Sequence, residues 1–164
     1  MPGHAYLLIV LLIVALDRLT KILVIKNLAY LTSMDITPYL SIVHARNYGG
    51  AFGFLAQRGD VSYIFLVLPI VIIAGLIYYL LRYQHTEMVK FSLTCILAGA
   101  LGNMYDRLRY GYVTDFIDVY YKQYHWPAFN VADASITFGI GLWIFAQLFG
   151  RSGQGARGKG QGQT

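Results

Sequence analysis

Two aspartates, Asp115 and Asp133, have 17 residues between them and sit in surroundings that solvate a carboxylate poorly. Asp115 lies in the apolar and aromatic run 112–119, and Asp133 follows Phe129, Asn130, Val131 and Ala132. Two carboxyls brought together cannot both ionise, so they share a proton. The ionised partner can then take a proton from water while the protonated one polarises a carbonyl. That is the chemistry of peptide hydrolysis by an aspartate dyad, and it calls for no metal and no cofactor. A plainer reading competes for the second acid. Asn130 followed three residues later by Asp133 is also a helix N-cap with a first-turn acid.

Three further clusters carry polar groups. Asp17, Thr20 and Lys21 stand at i, i+3 and i+4 and share one helix face, as a self-neutralising pair or as support for a site. Asn47, Gly49, Gly50 and Gly53 make a glycine-rich segment, either an ordinary turn or a backbone that an extended peptide can approach closely. Asn103, Asp106 and Arg107 share another helix face, where Asp106 and Arg107 also read as interfacial charges that end a helix. Other hydrolytic machinery fits less well. His4, His44, His85 and His125 fall in loops or at a terminus, with no His-x-x-x-His zinc face. No Gly-x-Ser-x-Gly elbow occurs, and Cys95 reads as a small core residue inside an apolar stretch.

The elements that must hold these groups belong in a bilayer. Charged residues are 13% of the 164 residues, about half the usual globular share, and 57% are hydrophobic. A single cysteine excludes a disulfide scaffold. The charge-free stretch between Asp60 and Arg82 holds 21 residues, about what a membrane-crossing helix needs. A first span is read over about 5–25, with Asp17, Arg18 and Lys21 in or at the end of it. The stretches between Lys90 and Asp106 and between Asp133 and Arg151 hold 15 and 17 uncharged residues, enough if each helix continues through its polar end. The first span lacks the basic start and small-residue cleavage site of a secretory signal. The expectation is a membrane all-α fold with four transmembrane helices over 1–149, followed by a disordered cytoplasmic tail, 150–164.

Lysine and arginine place the termini in the cytoplasm. The inner segments carry five in 28 residues, the outer loops six in 60. The net charge of +5 needs no nucleic acid, because part of it lies in the tail. The outer loop 26–60 includes the β-branched and aromatic run 39–45, which predicts a small extracytoplasmic β-structure. The loop 105–129 holds nine aromatics in 25 residues and reads as an interfacial loop at headgroup level.

Four boxes now stand in order along the chain. They are Asp17-x-x-Thr20-Lys21; Asn47-x-Gly49-x-Ala51-Phe52; Gly102-Asn103-x-x-Asp106-Arg107 with Gly111, Val113, Asp115 and Phe116; and Phe129-Asn130-x-Ala132-Asp133 with Ile136. Together they resemble the lipoprotein signal peptidase (signal peptidase II) family, over about 5–149. Gly50 departs from an alanine common in that family. The resemblance implies catalytic Asp115 and Asp133, with Asn103, Arg107 and Asn130 lining and orienting the site. It implies that Asp17, Lys21, Asn47 and Gly49 support that site or touch substrate. The implied substrate is a bacterial prolipoprotein, cut before a diacylglyceryl-modified cysteine, and the implied inhibitor is globomycin. The implied location is the bacterial inner membrane, with membrane lipids as neighbours and the active site near the outer surface. Two other readings compete: an ion-coupled carrier, disfavoured because no internal repeat is found, and a lipid- or peptide-binding protein without catalysis.

Overall fold

The computed structural model describes residues 2–49 and 61–149. Four helices and four strands alternate as α1 (Gly3–Asn27), β1 (Ser33–Thr37), β2 (Leu40–Asn47), α2 (Val61–Arg82), α3 (Glu87–Tyr110), β3 (Val113–Tyr121), β4 (Tyr124–His125) and α4 (Val131–Phe149). The expected tail, 150–164, and residues 50–53 of the glycine-rich segment lie outside the described residues.

Local chemistry sets the helix limits. Pro2 precedes α1 in an extended conformation, and Leu28 ends it by turning extended. The Thr86 side chain accepts the Val89 N–H at the start of α3, where Glu87 supplies a first-turn acid. Gly111 ends α3 at φ 76°, a left-handed position that glycine takes without strain, and its N–H closes on the Arg107 carbonyl.

Three of these helices, α2, α3 and α4, are long and apolar enough to cross a membrane. The remaining one, α1, has 25 residues but carries Asp17, Arg18 and Lys21. Helix α3 is central: 56% of its apolar stretch is buried, against 17% for α4 and none for α2. Polarity is inverted relative to a water-soluble protein. Leu7, Leu8, Leu11, Leu12, Val71 and Phe138 are exposed, while Asp17, Lys21, Asn103, Asp106 and Asn130 are buried. Exposed leucine on every helix and charge in the interior is what a hydrocarbon solvent selects.

Close helix approach depends on two glycines of α3 and one of α4. A methyl group on Gly99 would stand 2.3 Å from the Ala132 carbonyl oxygen, and one on Gly139 would stand 2.7 Å from that of Ser92. Gly102 leaves room for the Asp17 carboxylate, whose Oδ2 would lie 2.9 Å from an added Cβ. Small residues at such crossings are how helices pack without a hydrophobic drive.

The strands form one antiparallel order, β1-β2-β3-β4. The expected strand over 39–45 is found as β2. The segment 105–129, expected as an interfacial loop, is corrected on two counts. Its first residues extend α3 to Tyr110, and Val113–Tyr121 form β3, a full partner of β2. Its β-branched and aromatic residues fit a pleated surface as well as a membrane interface, and β2 decides between them. The sheet draws on both the α1–α2 and the α3–α4 connections, beside the four helices. A register shift between Ile42 and Ala45 sets Ala45 opposite Asp115 and Asn47 opposite Val113. Such a bulge re-aims side chains along a strand.

Candidate active site

The end of α3, the start of α4 and the first residues of β3 converge on one cavity of about 720 Å³. Asn47, Arg107, Asp115 and Asp133 line it, with Trp126, Phe129, Thr137 and Phe138 among its other walls. Asp115 reaches it from β3 and Asp133 from the first turn of α4.

Asp115 is 3% exposed. Its Oδ2 accepts from Asn47 Nδ2 at 3.0 Å, and its Oδ1 accepts from Asn130 Nδ2 at 2.6 Å. Burial, and then the charge of Asp133, push its pKa up to about 6, against the pull of those two amides. Asp133 Oδ1 accepts from Asn103 Nδ2 at 2.7 Å. The two acids are thus joined through Asn103 and Asn130, since Asn130 Nδ2 also lies 3.3 Å from Asn103 Oδ1.

The capping pattern is real as well. Asn130 Oδ1 accepts the Asp133 N–H at 2.9 Å, and Asp133 Oδ2 accepts the Asn130 N–H at 3.3 Å. One reciprocal cap fixes the α4 start and both site residues. The two readings of this pair are compatible, because capping uses Asn130 Oδ1 and leaves its Nδ2 for Asp115.

Behind the cavity lies a buried ionic network. Lys21 Nζ stands 2.8 Å from Asp17 Oδ2, 2.9 Å from Asp106 Oδ2 and 3.2 Å from Asn103 Oδ1. A three-proton ammonium is thereby matched by three acceptors. Asp17 Oδ1 also accepts the Ala132 N–H at 3.0 Å, at the positive end of the α4 dipole. Asp106 accepts the Thr114 N–H at 3.4 Å and pairs with Arg18. Two cations and two carboxylates therefore neutralise one another, which buried charge requires.

The predicted residues divide by position. Asn47, Arg107, Asp115 and Asp133 line the cavity, and Asn103 and Asn130 bind the two acids together. Asp17 and Lys21 lie one layer behind. Gly49 makes no contact with either acid. Its N–H donates to Asn47 Oδ1 at 3.1 Å, turning the Asn47 amide so that Nδ2 faces Asp115. Its missing side chain also admits Phe65 of α2, whose ring an added Cβ would meet at 2.7 Å. Thr20 stays outside the network and returns its hydroxyl to the α1 backbone, on the Leu16 and Asp17 carbonyls. Asp106 is the residue that sequence reasoning undervalued as an interfacial helix-ending charge. Its place three residues after Asn103, on the same face, was the available signal.

The chain matches the family described as signal peptidase (SPase) II over residues 9–149. It is 41% identical over 152 residues to the lipoprotein signal peptidase of Pseudoalteromonas translucida, covering 92% of each chain. With the lipoprotein signal peptidase of Burkholderia thailandensis it shares 43% identity over 148 residues, 90% of this chain and 88% of the relative. A solved bacterial membrane enzyme, determined by the in meso method at 2.3 Å resolution, superposes with a TM-score of 0.82 at 31% identity, covering 99% of this chain and 95% of that one. A second such structure, at 1.9 Å, gives a TM-score of 0.80 at 34% identity over 90% of this chain and 94% of that one. Family match, sequence identity and superposed fold agree: the chain belongs to the signal peptidase II family and is a membrane-embedded peptidase.

Proposed function

We propose that this protein removes the signal peptide from diacylglyceryl-modified prolipoproteins, cutting before the lipidated cysteine, by water attack under an Asp115–Asp133 dyad. One observation carries the reading: both carboxylates line a single cavity and are cross-linked through Asn103 and Asn130. One carboxyl of the pair holds the shared proton and polarises the scissile carbonyl, and the other takes a proton from water. Asn47 and Asn130 fix the Asp115 carboxyl, Asn103 fixes that of Asp133, and Arg107 holds positive charge beside the developing oxyanion. Asp17, Lys21 and Gly49 set the positions of those residues.

The location of the cavity suits a substrate that cannot leave the bilayer, since each buried methylene is worth about 0.8 kcal/mol. Its walls run from the sheet to Thr137 and Phe138, more than one turn into α4. Acyl chains can enter on that side while the peptide bond stays near the sheet. In this reading α1 is the fourth span, neutralised internally by its buried ion pairs. The termini face the cytoplasm of a bacterial inner membrane, and the sheet sits on the outer surface.

The test is cleavage of a diacylglyceryl prolipoprotein by Asp115→Asn and Asp133→Asn variants, with and without globomycin. Each variant is expected to lose at least about 100-fold in kcat, the scale of general acid–base catalysis. Normal turnover by either one sinks the dyad. An ion-coupled carrier has no support from a repeated architecture.

A further inference from the structure

At the sheet end of the bundle, aromatic rings and arginines alternate along a face turned away from the dyad. Arg18 Cζ stands 4.5 Å from the centre of the Tyr105 ring and 5.6 Å from that of Tyr110. Tyr110 leads on to Tyr112, their ring centres 6.0 Å apart. Arg46 Cζ then stands 4.8 Å from the centre of the Tyr112 ring and 4.4 Å from that of Tyr30. Arg46 belongs to β2 and immediately precedes Asn47, which lines the dyad cavity. Successive residues of a strand face opposite ways, so Arg46 turns from that cavity.

The two arginines differ in one respect. A guanidinium against an aromatic ring gains from the negative ring face, but its N–H donors still need acceptors. Arg18 finds them in the Asp106 carboxylate and the Tyr110 hydroxyl. Arg46 finds none. Its Nε is buried without a partner among the described residues. Nη1 and Nη2 also lack one there, and they reach the surface. The nearby acids are already committed, Asp17 and Asp106 to Lys21 and Arg18. Arg109, 5.7 Å from the centre of the Tyr110 ring, adds a second cation without an acid among the described residues. The fold thus completes one stacked arginine with an anion and leaves the other open.

The surroundings fix the class of the missing anion. Leu19 and Leu23 of α1 and Leu108 of α3 are exposed, as on a surface that meets hydrocarbon. Tyr30, Tyr105 and Tyr110 are exposed as well, and such rings mark the depth where one edge is apolar and the other wet. The anions found at that depth are lipid phosphates, whose oxygens match the guanidinium fork. We propose that Arg46, with Tyr30 and Tyr112, binds the phosphate of an anionic phospholipid whose acyl chains lie along the exposed leucines of α1 and α3, apart from the cavity that holds the dyad.

The test titrates the full-length protein in detergent with dioleoylphosphatidylglycerol and reads the tightest binding event by mass spectrometry of the intact complex. Arg46→Gln is expected to weaken that event at least about tenfold, the worth of one charge-assisted hydrogen bond. Arg46→Lys keeps the charge without the fork and is expected to fall between the two. Arg82→Gln is the control, since Arg82 also lies against a ring, that of Tyr83, but in the last turn of α2 at the other end of the bundle. It is expected to leave binding unchanged. Unchanged binding in Arg46→Gln, or an equal loss in Arg82→Gln, overturns the site. Should Arg46→Gln fail to fold, Tyr30→Leu removes one ring from an exposed position and is expected to weaken binding about two- to fivefold, the scale of an exposed cation–π contact. No change there overturns the proposal as well. Two further probes separate the sources of affinity. Dioleoylglycerol, which lacks the phosphate, is expected to bind wild type and Arg46→Gln alike, and inorganic phosphate is expected not to displace the phospholipid. A wild-type preference for dioleoylglycerol as large as that for the phospholipid, or displacement by inorganic phosphate, overturns the phospholipid assignment.

Discussion

At the residue scale, each asparagine of the site has two jobs on two ends of one amide. Asn130 caps α4 with its oxygen and holds Asp115 with its nitrogen. Substitution can separate these jobs. Asn130→Ser keeps a capping oxygen and is expected to retain thermal stability within a few degrees while losing at least about tenfold in kcat. Asn130→Ala is expected to lose the same activity and a further ~1 kcal/mol of stability. Melting curves in detergent beside a cleavage assay separate the two. Asp115 has a signature of its own. Its folded pKa, up to about 6, lies above the ordinary carboxylate value of 3.8. The folded state therefore binds more protons than the unfolded one between those values, so stability falls as pH rises through that window, by ~3 kcal/mol in all. Asp115→Asn should flatten this part of the profile of Tm against pH. Asp133→Asn should move the upper end of the window downward, because it removes the neighbouring charge. An unshifted window in Asp133→Asn would show that the two acids do not sense each other.

At the element scale, α3 organises the molecule by what it lacks. Gly99 and Gly102 bring the start of α4 and the Asp17 carboxylate against the helix backbone. Gly102→Ala is expected to cost about 1–3 kcal/mol by overpacking. It should also reduce activity, because the atoms it strikes are Asp17 Oδ2, in the network behind the cavity, and Ala132 Cβ, of the residue before Asp133. Gly141→Ala is the control, since nothing lies within 4 Å of its added methyl. It should leave stability unchanged or slightly raised. The box spacings gave the placement of these residues on their elements: Asn103 and Arg107 do share a face of α3, and Asn130 and Asp133 do stand at the start of α4. What they could not give is the strand character of β3. Aromatics and β-branched residues suit both a headgroup belt and a pleated sheet, and only pairing with β2 resolves the choice. Asp106 was hidden for a related reason. A charge near a helix end satisfies an interfacial reading until the partner that buries it, Lys21 of α1, is located.

At the scale of the whole molecule, the ionic network is what lets charged α1 pack beside α3. Removing Lys21 leaves Asp17 and Asp106 buried without their shared cation, and Lys21→Met is expected to cost about 3–5 kcal/mol. Added salt should not reproduce the loss, since buried pairs are little screened. Denaturation in detergent across a salt series checks both statements. Orientation is testable in the same frame. In a Cys95→Ala background, cysteines placed at Tyr83 and Tyr124 are expected to react with a membrane-impermeant thiol reagent from opposite sides of the membrane, Tyr124 from the outside.

By itself the sequence determined the solvent and the family, because hydropathy and box spacing are local properties of a chain. Tertiary structure alone decided which carboxylate meets which amide, and that Lys21 serves Asp17, Asp106 and Asn103 together. These are properties of groups distant in sequence and a few ångströms apart in space. Their energies come from burial and partner geometry, which exist only once α1, α3, α4 and the sheet have packed.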